Sequence, residues 1–162
     1  HFDKQTELES VLRKRGKSDE LELLESDLPS AGQTSFTRQQ EPLGLGHAVW
    51  CARNMIGDEP FAVLLPDMVM QSGPGCLKQM MDVYAETGGG NIIAVETVPW
   101  AEVSRYGVVD FSKTDGLALA INGMIEKPVR DKAPSNHIIS GRYILQPEIF
   151  ANQYLFHMVH CN

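Results

Sequence analysis

The chain has 162 residues, of which 43% are hydrophobic and 22% charged, enough for one globular domain with a core. Its net charge of -7 and the absence of a Lys/Arg stripe argue against binding to nucleic acid. No apolar run is long enough to span a bilayer, so no membrane association is expected. Three cysteines, Cys51, Cys76 and Cys161, share no CxxC spacing, which favours a reducing, cytoplasmic environment.

The predicted elements start with helical periodicity over residues 4–28, broken near Gly16. Alternation predicts a short strand over 34–40, and a helix follows over 47–55. The apolar run FAVLLP, from Phe61, is typical of a strand buried on both faces. Further elements are a helix over 77–87 with Met80, Met81 and Tyr84 inward, strands over 91–98, 106–111, 117–125 and 140–146, a turn at Thr114–Gly116, and a short helix from Pro147. Strands alternate with helices in the first half and dominate the second, which predicts an α/β fold with a mixed, mostly parallel sheet flanked by helices and a partly antiparallel extension.

Two features near residue 40 are compatible with a nucleotide site. Gly44 and Gly46 precede a helix, where the backbone could approach a base or a phosphate, although a tight connecting loop has the same signature. Gln39 carries an amide that could read the edge of a pyrimidine, or it could be a polar strand residue that faces water.

Carboxylates follow two of the predicted strands. Asp67 comes directly after FAVLLP, where it could hold Mg²⁺ or cap a turn. Glu126 and Lys127 end another strand before Pro128, so that the acid could accept sugar hydroxyls and the amine meet a phosphate, or both could be a solvated strand end. A plain dinucleotide-binding fold is disfavoured, because no GxGxxG follows a strand with an acid about twenty residues on.

Five motifs occur in a fixed order: RQQEPLGLGHAV, FAVLLPD, RYGVVD, IEKP and SNHIISGRYIL. With this order and spacing the chain, from Phe2 to Phe150, resembles the bacterial UTP–glucose-1-phosphate uridylyltransferases. The resemblance implies a Rossmann-like nucleotidyltransferase fold and the formation of UDP-glucose and pyrophosphate from UTP and glucose 1-phosphate, with Mg²⁺ as cofactor. It also implies that the full-length protein is a homo-oligomer.

The resemblance assigns roles to individual residues. Gln39 and Gly44 would contact uracil, Asp67 would hold Mg²⁺, and Gly107 would line the sugar pocket. Glu126 would bind glucose hydroxyls and Lys127 the phosphates, so that Asp67 and Lys127 are the expected catalytic residues. Asn136 and Arg142 would lie on the sugar side of the substrate site.

The chain also departs from the family pattern. The family's Gly-rich triphosphate loop would lie upstream of His1, so residues 1–150 are expected to be a partial catalytic domain with weak or no turnover by itself. Residues 151–162 match no family segment, and His157, His160 and Cys161 are a weak candidate set of metal ligands. Two alternatives are a non-catalytic remnant that binds sugar nucleotides, and a thymidylyl- or adenylyltransferase acting on glucose 1-phosphate.

Overall fold

A computed structural model of the chain describes residues 4–113 and 118–151. The predicted turn at Thr114–Gly116 and the candidate ligands His157, His160 and Cys161 lie outside these residues. The chain divides between Arg38 and Gln39 into two compact units. No helix among the described residues is long and apolar enough to cross a membrane.

The first unit contains two helices, α1 (Thr6–Lys14) and α2 (Ser18–Ser26). Gly16 turns the chain between them with a φ of 66°, a left-handed conformation that glycine adopts without steric cost. Arg13 of α1 donates to Glu25 of α2 at 2.9 Å. The predicted helical region and its break are therefore confirmed.

The strand predicted over residues 34–40 is wrong. This segment is irregular and pairs with no strand in the described parts of the chain. The side chain of Phe36 is 69% exposed. Alternating residues favour an extended backbone, but a strand also needs a neighbouring edge to pair with, and the local pattern carries no information about one.

The second unit contains the remaining elements. In chain order these are α3 (Leu45–Cys51), α4 (Arg53–Ile56), β1 (Phe61–Leu64), α5 (Cys76–Glu86), β2 (Ile92–Thr97), β3 (Gly107–Lys113), β4 (Leu119–Glu126) and β5 (His137–Leu145). Single 3₁₀ turns occur at Val103–Arg105, Arg130–Lys132 and Pro147–Phe150. The predicted helices and strands of this unit are thus present, and the predicted α/β class is confirmed.

The sheet differs from the prediction in its direction of pairing. Every pairing between described strands is antiparallel, so the prediction of a mostly parallel sheet is wrong for this part of the chain. The physical reason is that β5 lies between β1, β2 and β3 and runs against all three. Those three strands therefore point the same way without pairing with one another.

Two strands share one edge of β5. Ile138 pairs with both Glu96 of β2 and Val108 of β3, whereas Tyr143 pairs with both Val63 of β1 and Ile93 of β2. Since a residue has one pairing partner on each side, β2 occupies one edge of β5, and β1 and β3 occupy the other, end to end. The carboxyl end of β1 therefore meets the beginning of β3.

The core is small and lies beneath the start of β5. Val103, Val108 and Ile138 are fully or almost fully buried, and Val98, Tyr106 and Ala133 pack against them. β1 is not buried on both faces as predicted, because its side chains alternate and Leu64 is 49% exposed. Met80 is buried and Tyr84 partly buried as expected, but Met81 is 56% exposed because it lies next to Met80 on a helix with only one covered side.

Candidate functional site

The junction between β1 and β3 is built around an irregularity in β5. The pairing of β2 with β5 shifts register between Ile93 and Val95, and Gly141 lies within the bulged stretch with a φ of 69°. A Cβ atom on Gly141 would lie 3.1 Å from Met68 Cγ and 3.2 Å from Leu65 Cβ. Only glycine lets the loop that follows β1 lie directly on β5.

Arg142 fixes this loop. Its guanidinium donates to the carbonyl oxygen of Leu65 at 2.7 Å, to that of Met68, and to that of Gly141 at 3.0 Å. The backbone N–H of Leu65 in turn donates to the carbonyl of Gly141 at 2.9 Å. Hydrogen bonds from a charged donor are among the stronger ones in proteins, so the loop is held at both ends.

Asp67 lies at the tip of the loop. Its side chain is exposed, and no described residue forms a hydrogen bond or ion pair with its carboxylate. Its backbone neighbours are held by Arg142, so a carboxylate is presented to solvent on a fixed support. A hard oxygen ligand in this setting is suited to Mg²⁺. Among the described residues, no three His, Cys, Asp or Glu side chains are grouped so that they could hold a metal ion together. Asp67 would therefore share a bound metal with phosphate oxygens and water.

Glu126 and Gly107 face each other across the beginning of β3. They are register partners, and a Cβ atom on Gly107 would lie 3.0 Å from Glu126 Oε2 and 3.3 Å from Ile139 Cδ1. The missing side chain therefore leaves the space in which the Glu126 carboxylate sits. Ile139 belongs to β5. The Glu126 carboxylate therefore lies near the same strand on which the Asp67 loop packs, at Gly141.

Lys127 follows with an unusual backbone. Its φ of 43° is the only positive value at a non-glycine residue in the described chain, and it precedes Pro128, which is buried. The N–H of Lys127 donates to the carbonyl of Tyr106 at 3.0 Å, which holds this conformation. Strained backbone of this kind concentrates at functional sites. Lys127 Nζ lies 3.6 Å from Glu126 Oε1, and this pair is exposed enough to open at little cost when a phosphate binds.

Tyr143 is a further candidate residue near Glu126, and no sequence motif pointed to it. Burial raises the pKa of its hydroxyl, and the negative charge of Glu126 raises the pKa further. The two groups are therefore close enough to interact electrically. A tyrosine inside a strand is usually read as a packing residue, so no local signal would have identified it.

The resemblance implies UDP-glucose binding, and replacement of Gly107 by Ala is expected to weaken that binding with little loss of stability. The new methyl group would displace the ends of two flexible side chains, those of Glu126 and Ile139, and the backbone would not be strained. Calorimetric titration should show at least about a tenfold loss of affinity, while the free energy of unfolding changes by less than about 1.5 kcal/mol.

Gly123→Ala is the matched control, because Gly123 lies in β4 with no atom within 4 Å of the added Cβ position. An equal loss of affinity in both variants would contradict the role given to the space above Gly107.

A second group of residues precedes α3. Gln39 Nε2 lies 2.9 Å from the carbonyl oxygen of Gly44 and 3.0 Å from His47 Nδ1. Gly44 has a φ of 90° at the N-cap of α3, which only glycine tolerates readily. The structure thus brings together Gln39 and Gly44, which the sequence analysis proposed for base contacts, and adds His47.

The loop before α3 and the loop after β1 both border one open groove. Leu45 at the start of α3 and Leu64 at the end of β1 are among the residues that line this groove, and its volume is about 310 Å³. The Gln39–Gly44 loop leads directly into Leu45, and the Asp67 loop follows Leu64. The carboxyl end of a strand is the place at which open α/β sheets bind ligands.

Asn136, another predicted site residue, is bonded to the end of β2. Its side-chain Nδ2 donates to the backbone carbonyl of Val98 at 2.9 Å, and its backbone carbonyl accepts from the N–H of Val98 at 3.0 Å. These two bonds join the residue before β5 to the residue after β2. A direct contact between Asn136 and a sugar stays a prediction.

Comparison with known proteins places this geometry in a family. The nucleotidyl transferase family profile matches residues 5–158. The chain belongs to the nucleotidyl transferase family. Among curated relatives, it is 47% identical over 150 residues to UTP–glucose-1-phosphate uridylyltransferases of Staphylococcus epidermidis and Bacillus subtilis. The alignments cover 93% of this chain and 51% of each relative, so the chain spans about half the length of the curated relatives it matches.

Solved structures of other nucleotidyl transferases have the same fold. A UDP-glucose pyrophosphorylase from Acinetobacter baumannii aligns with a TM-score of 0.80 at 38% identity, over 93% of this chain and 54% of that one. A UDP-glucose pyrophosphorylase complexed with UDP-glucose aligns with a TM-score of 0.68 at 42% identity, over 72% of this chain and 45% of that one. The resemblance seen in the five motifs is confirmed at the level of both sequence and fold.

Proposed function

We propose that the protein is a UTP–glucose-1-phosphate uridylyltransferase, which forms UDP-glucose and pyrophosphate from UTP and glucose 1-phosphate. The observation that supports the proposal is that the Asp67 loop packs on Gly141 of β5, while the Glu126 carboxylate and Ile139 of β5 border the space above Gly107. The Gln39–Gly44 loop leads into α3, which lines one groove together with β1. A metal-binding carboxylate, a hydroxyl acceptor, a cation and a base reader are the groups this reaction requires. The names of the relatives at 47% identity support the same reaction.

The proposed roles follow from the chemistry of each side chain. Gln39 and Gly44 contact uracil, Glu126 accepts hydrogen bonds from the glucose hydroxyls above Gly107, and Lys127 pairs with phosphate oxygens. The phosphate oxygen of glucose 1-phosphate attacks the α-phosphorus of UTP in line and pyrophosphate leaves. Such a transfer needs alignment of the reactants and neutralisation of charge rather than a covalent intermediate.

We propose Mg²⁺ as the cofactor, with Asp67 as its protein ligand. The exposed, unpaired carboxylate of Asp67 fits a hard cation that keeps several water or phosphate ligands. When bound, Mg²⁺ neutralises negative charge on the phosphates. The chain's own contribution is to hold the Asp67 carboxylate in place.

Arg142 has a supporting role in this proposal. Its guanidinium is committed to the carbonyls of Leu65, Met68 and Gly141, so it acts on the substrates through the position of Asp67. The residue was expected on the sugar side, and its place next to Tyr143 keeps it at the same end of β5.

The location of the protein and its assembly also stay predictions. The odd number of cysteines and the absence of a CxxC spacing favour the cytoplasm, and the full-length protein is expected to be a homo-oligomer.

The test is a calorimetric comparison of UDP-glucose, dTDP-glucose and ADP-glucose, each with Mg²⁺. The proposal predicts that UDP-glucose binds most tightly. Tighter binding of dTDP-glucose or ADP-glucose would instead support the thymidylyl- or adenylyltransferase alternative. If a chain shown to be folded by circular dichroism bound none of the three, the proposed function would be rejected.

A further inference from the structure

The amide of Gln39 is held by two acceptors. Its Nε2 carries two N–H groups, and two acceptors lie within hydrogen-bond distance: the carbonyl oxygen of Gly44 at 2.9 Å and His47 Nδ1 at 3.0 Å. Both N–H donors of the Gln39 side chain are therefore used by neighbouring protein groups, one in the loop and one in α3.

The orientation of this amide is fixed by chemistry. A backbone carbonyl can only accept, so a flipped Gln39 amide would place Oε1 against the oxygen of Gly44 and the two acceptors would repel. Oε1 is consequently the atom that remains, and within the described chain no donor reaches it. Gln39 thus offers a ligand an acceptor and no donor.

His47 can accept the hydrogen bond from Gln39 in only one of its two neutral tautomers. Because Nδ1 accepts from Gln39, the ring proton must be on Nε2, which lies 3.9 Å from Cys51 Sγ. The imidazole stacks on the ring of Trp50 with centroids 5.9 Å apart and planes 19° apart. The Cζ atom of Arg53 lies 3.4 Å from the ring centroid of Trp50, and this cation–π contact helps to hold the indole on which His47 stacks.

We propose that His47 is a positioning residue that locks the Gln39 amide with Oε1 outward and thereby determines which base is accepted. The inference rests on the proposed function and goes beyond it, since it explains how uracil is distinguished from cytosine. Uracil presents an N–H at the ring nitrogen of its pairing edge, which Oε1 can accept. Cytosine presents a bare lone pair there, which Oε1 repels.

Two substitutions distinguish the effect of the hydrogen bond between His47 and Gln39 from the effect of the imidazole ring's size and stacking. His47→Leu and His47→Asn both remove the stack on Trp50, but the Asn Oδ1 lies where the imidazole Nδ1 was and still accepts from Gln39. We expect the ratio of UDP-glucose to CDP-glucose affinity, measured with Mg²⁺, to fall about tenfold in His47→Leu and to stay near the original value in His47→Asn. Equal ratios in the two variants would overturn the proposal.

A ligand-free measurement tests the hydrogen bond between His47 and Gln39 separately from the proposed function. At about pH 8, where histidine is usually neutral, the ¹⁵N chemical shifts of the imidazole report which nitrogen carries the proton, and His47→Asn assigns the signal. The proposal predicts a proton on Nε2 of His47. A proton on Nδ1 would overturn it even if UDP-glucose binds. If neither sugar nucleotide binds but the proton is on Nε2, the proposed function fails while the locked amide is supported.

Discussion

Replacement of Gly141 by Ala is expected to lower the free energy of unfolding by about 2–5 kcal/mol. About 1–2 kcal/mol comes from the left-handed backbone, since φ is 69°. About 1–3 kcal/mol comes from overpacking, because the new methyl group would lie 3.1 Å from Met68 Cγ and 3.2 Å from Leu65 Cβ. Urea unfolding followed by circular dichroism measures this loss.

Gly88→Ala is the matched control for Gly141→Ala. Gly88 follows the end of α5 with nearly the same φ, 72°, but no atom lies within 4 Å of its Cβ position. The control should therefore lose only the backbone part, about 1–2 kcal/mol. Equal losses in the two variants would show that the Asp67 loop does not pack on β5 as closely as the structure has it.

Replacement of Arg142 by Ala is expected to weaken Mg²⁺-dependent binding of UDP-glucose by about 10- to 100-fold. The loop that carries Asp67 would lose its two hydrogen bonds from Arg142, those to the carbonyls of Leu65 and Met68, and groups that support a metal ligand typically affect affinity by this factor. Titration of UDP-glucose at several Mg²⁺ concentrations separates the metal from the sugar nucleotide. The proposal predicts that more Mg²⁺ is needed for half-saturation.

Two further variants complete the test of Arg142. Arg142→Lys should recover part of the affinity, because an ammonium group can reach one or two of the carbonyls but lacks the planar fork of arginine. Arg105→Ala is the control, since the Arg105 side chain is 70% exposed, pairs loosely with Glu102 at 3.8 Å and lies 5.7 Å from the ring centroid of Tyr106. An unchanged Mg²⁺ requirement combined with lost UDP-glucose affinity would mean that Arg142 touches the ligand directly.

The elements were readable from the sequence because local patterns determine them. The break at Gly16 and the apolar runs that became β1 and β2 carry their own signals. The direction of the sheet was not readable, because no local feature of residues 137–145 shows that they insert between three other strands. The same limitation explains the strand wrongly predicted over residues 34–40.

The sequence was sufficient to propose the residues of the candidate site. It did not reveal the contacts that hold those residues in place. Asp67 and Glu126 could be proposed because a carboxylate at a strand end is unusual enough to notice. The bond from Gln39 to His47 depends on the path of a loop, and the proximity of Tyr143 to Glu126 depends on strand order. Neither is encoded in spacing along the chain.

The most direct test of the central claim is calorimetric titration of the chain with UDP-glucose and Mg²⁺, alongside Asp67→Ala and Glu126→Ala. Asp131→Ala, which removes an exposed carboxylate from the 3₁₀ turn Arg130–Lys132, is the control. We predict that affinity falls at least about tenfold in both site variants and stays unchanged in the control. Undiminished binding in either site variant, with the chain folded, would contradict the proposal that the two strand ends form one sugar-nucleotide site.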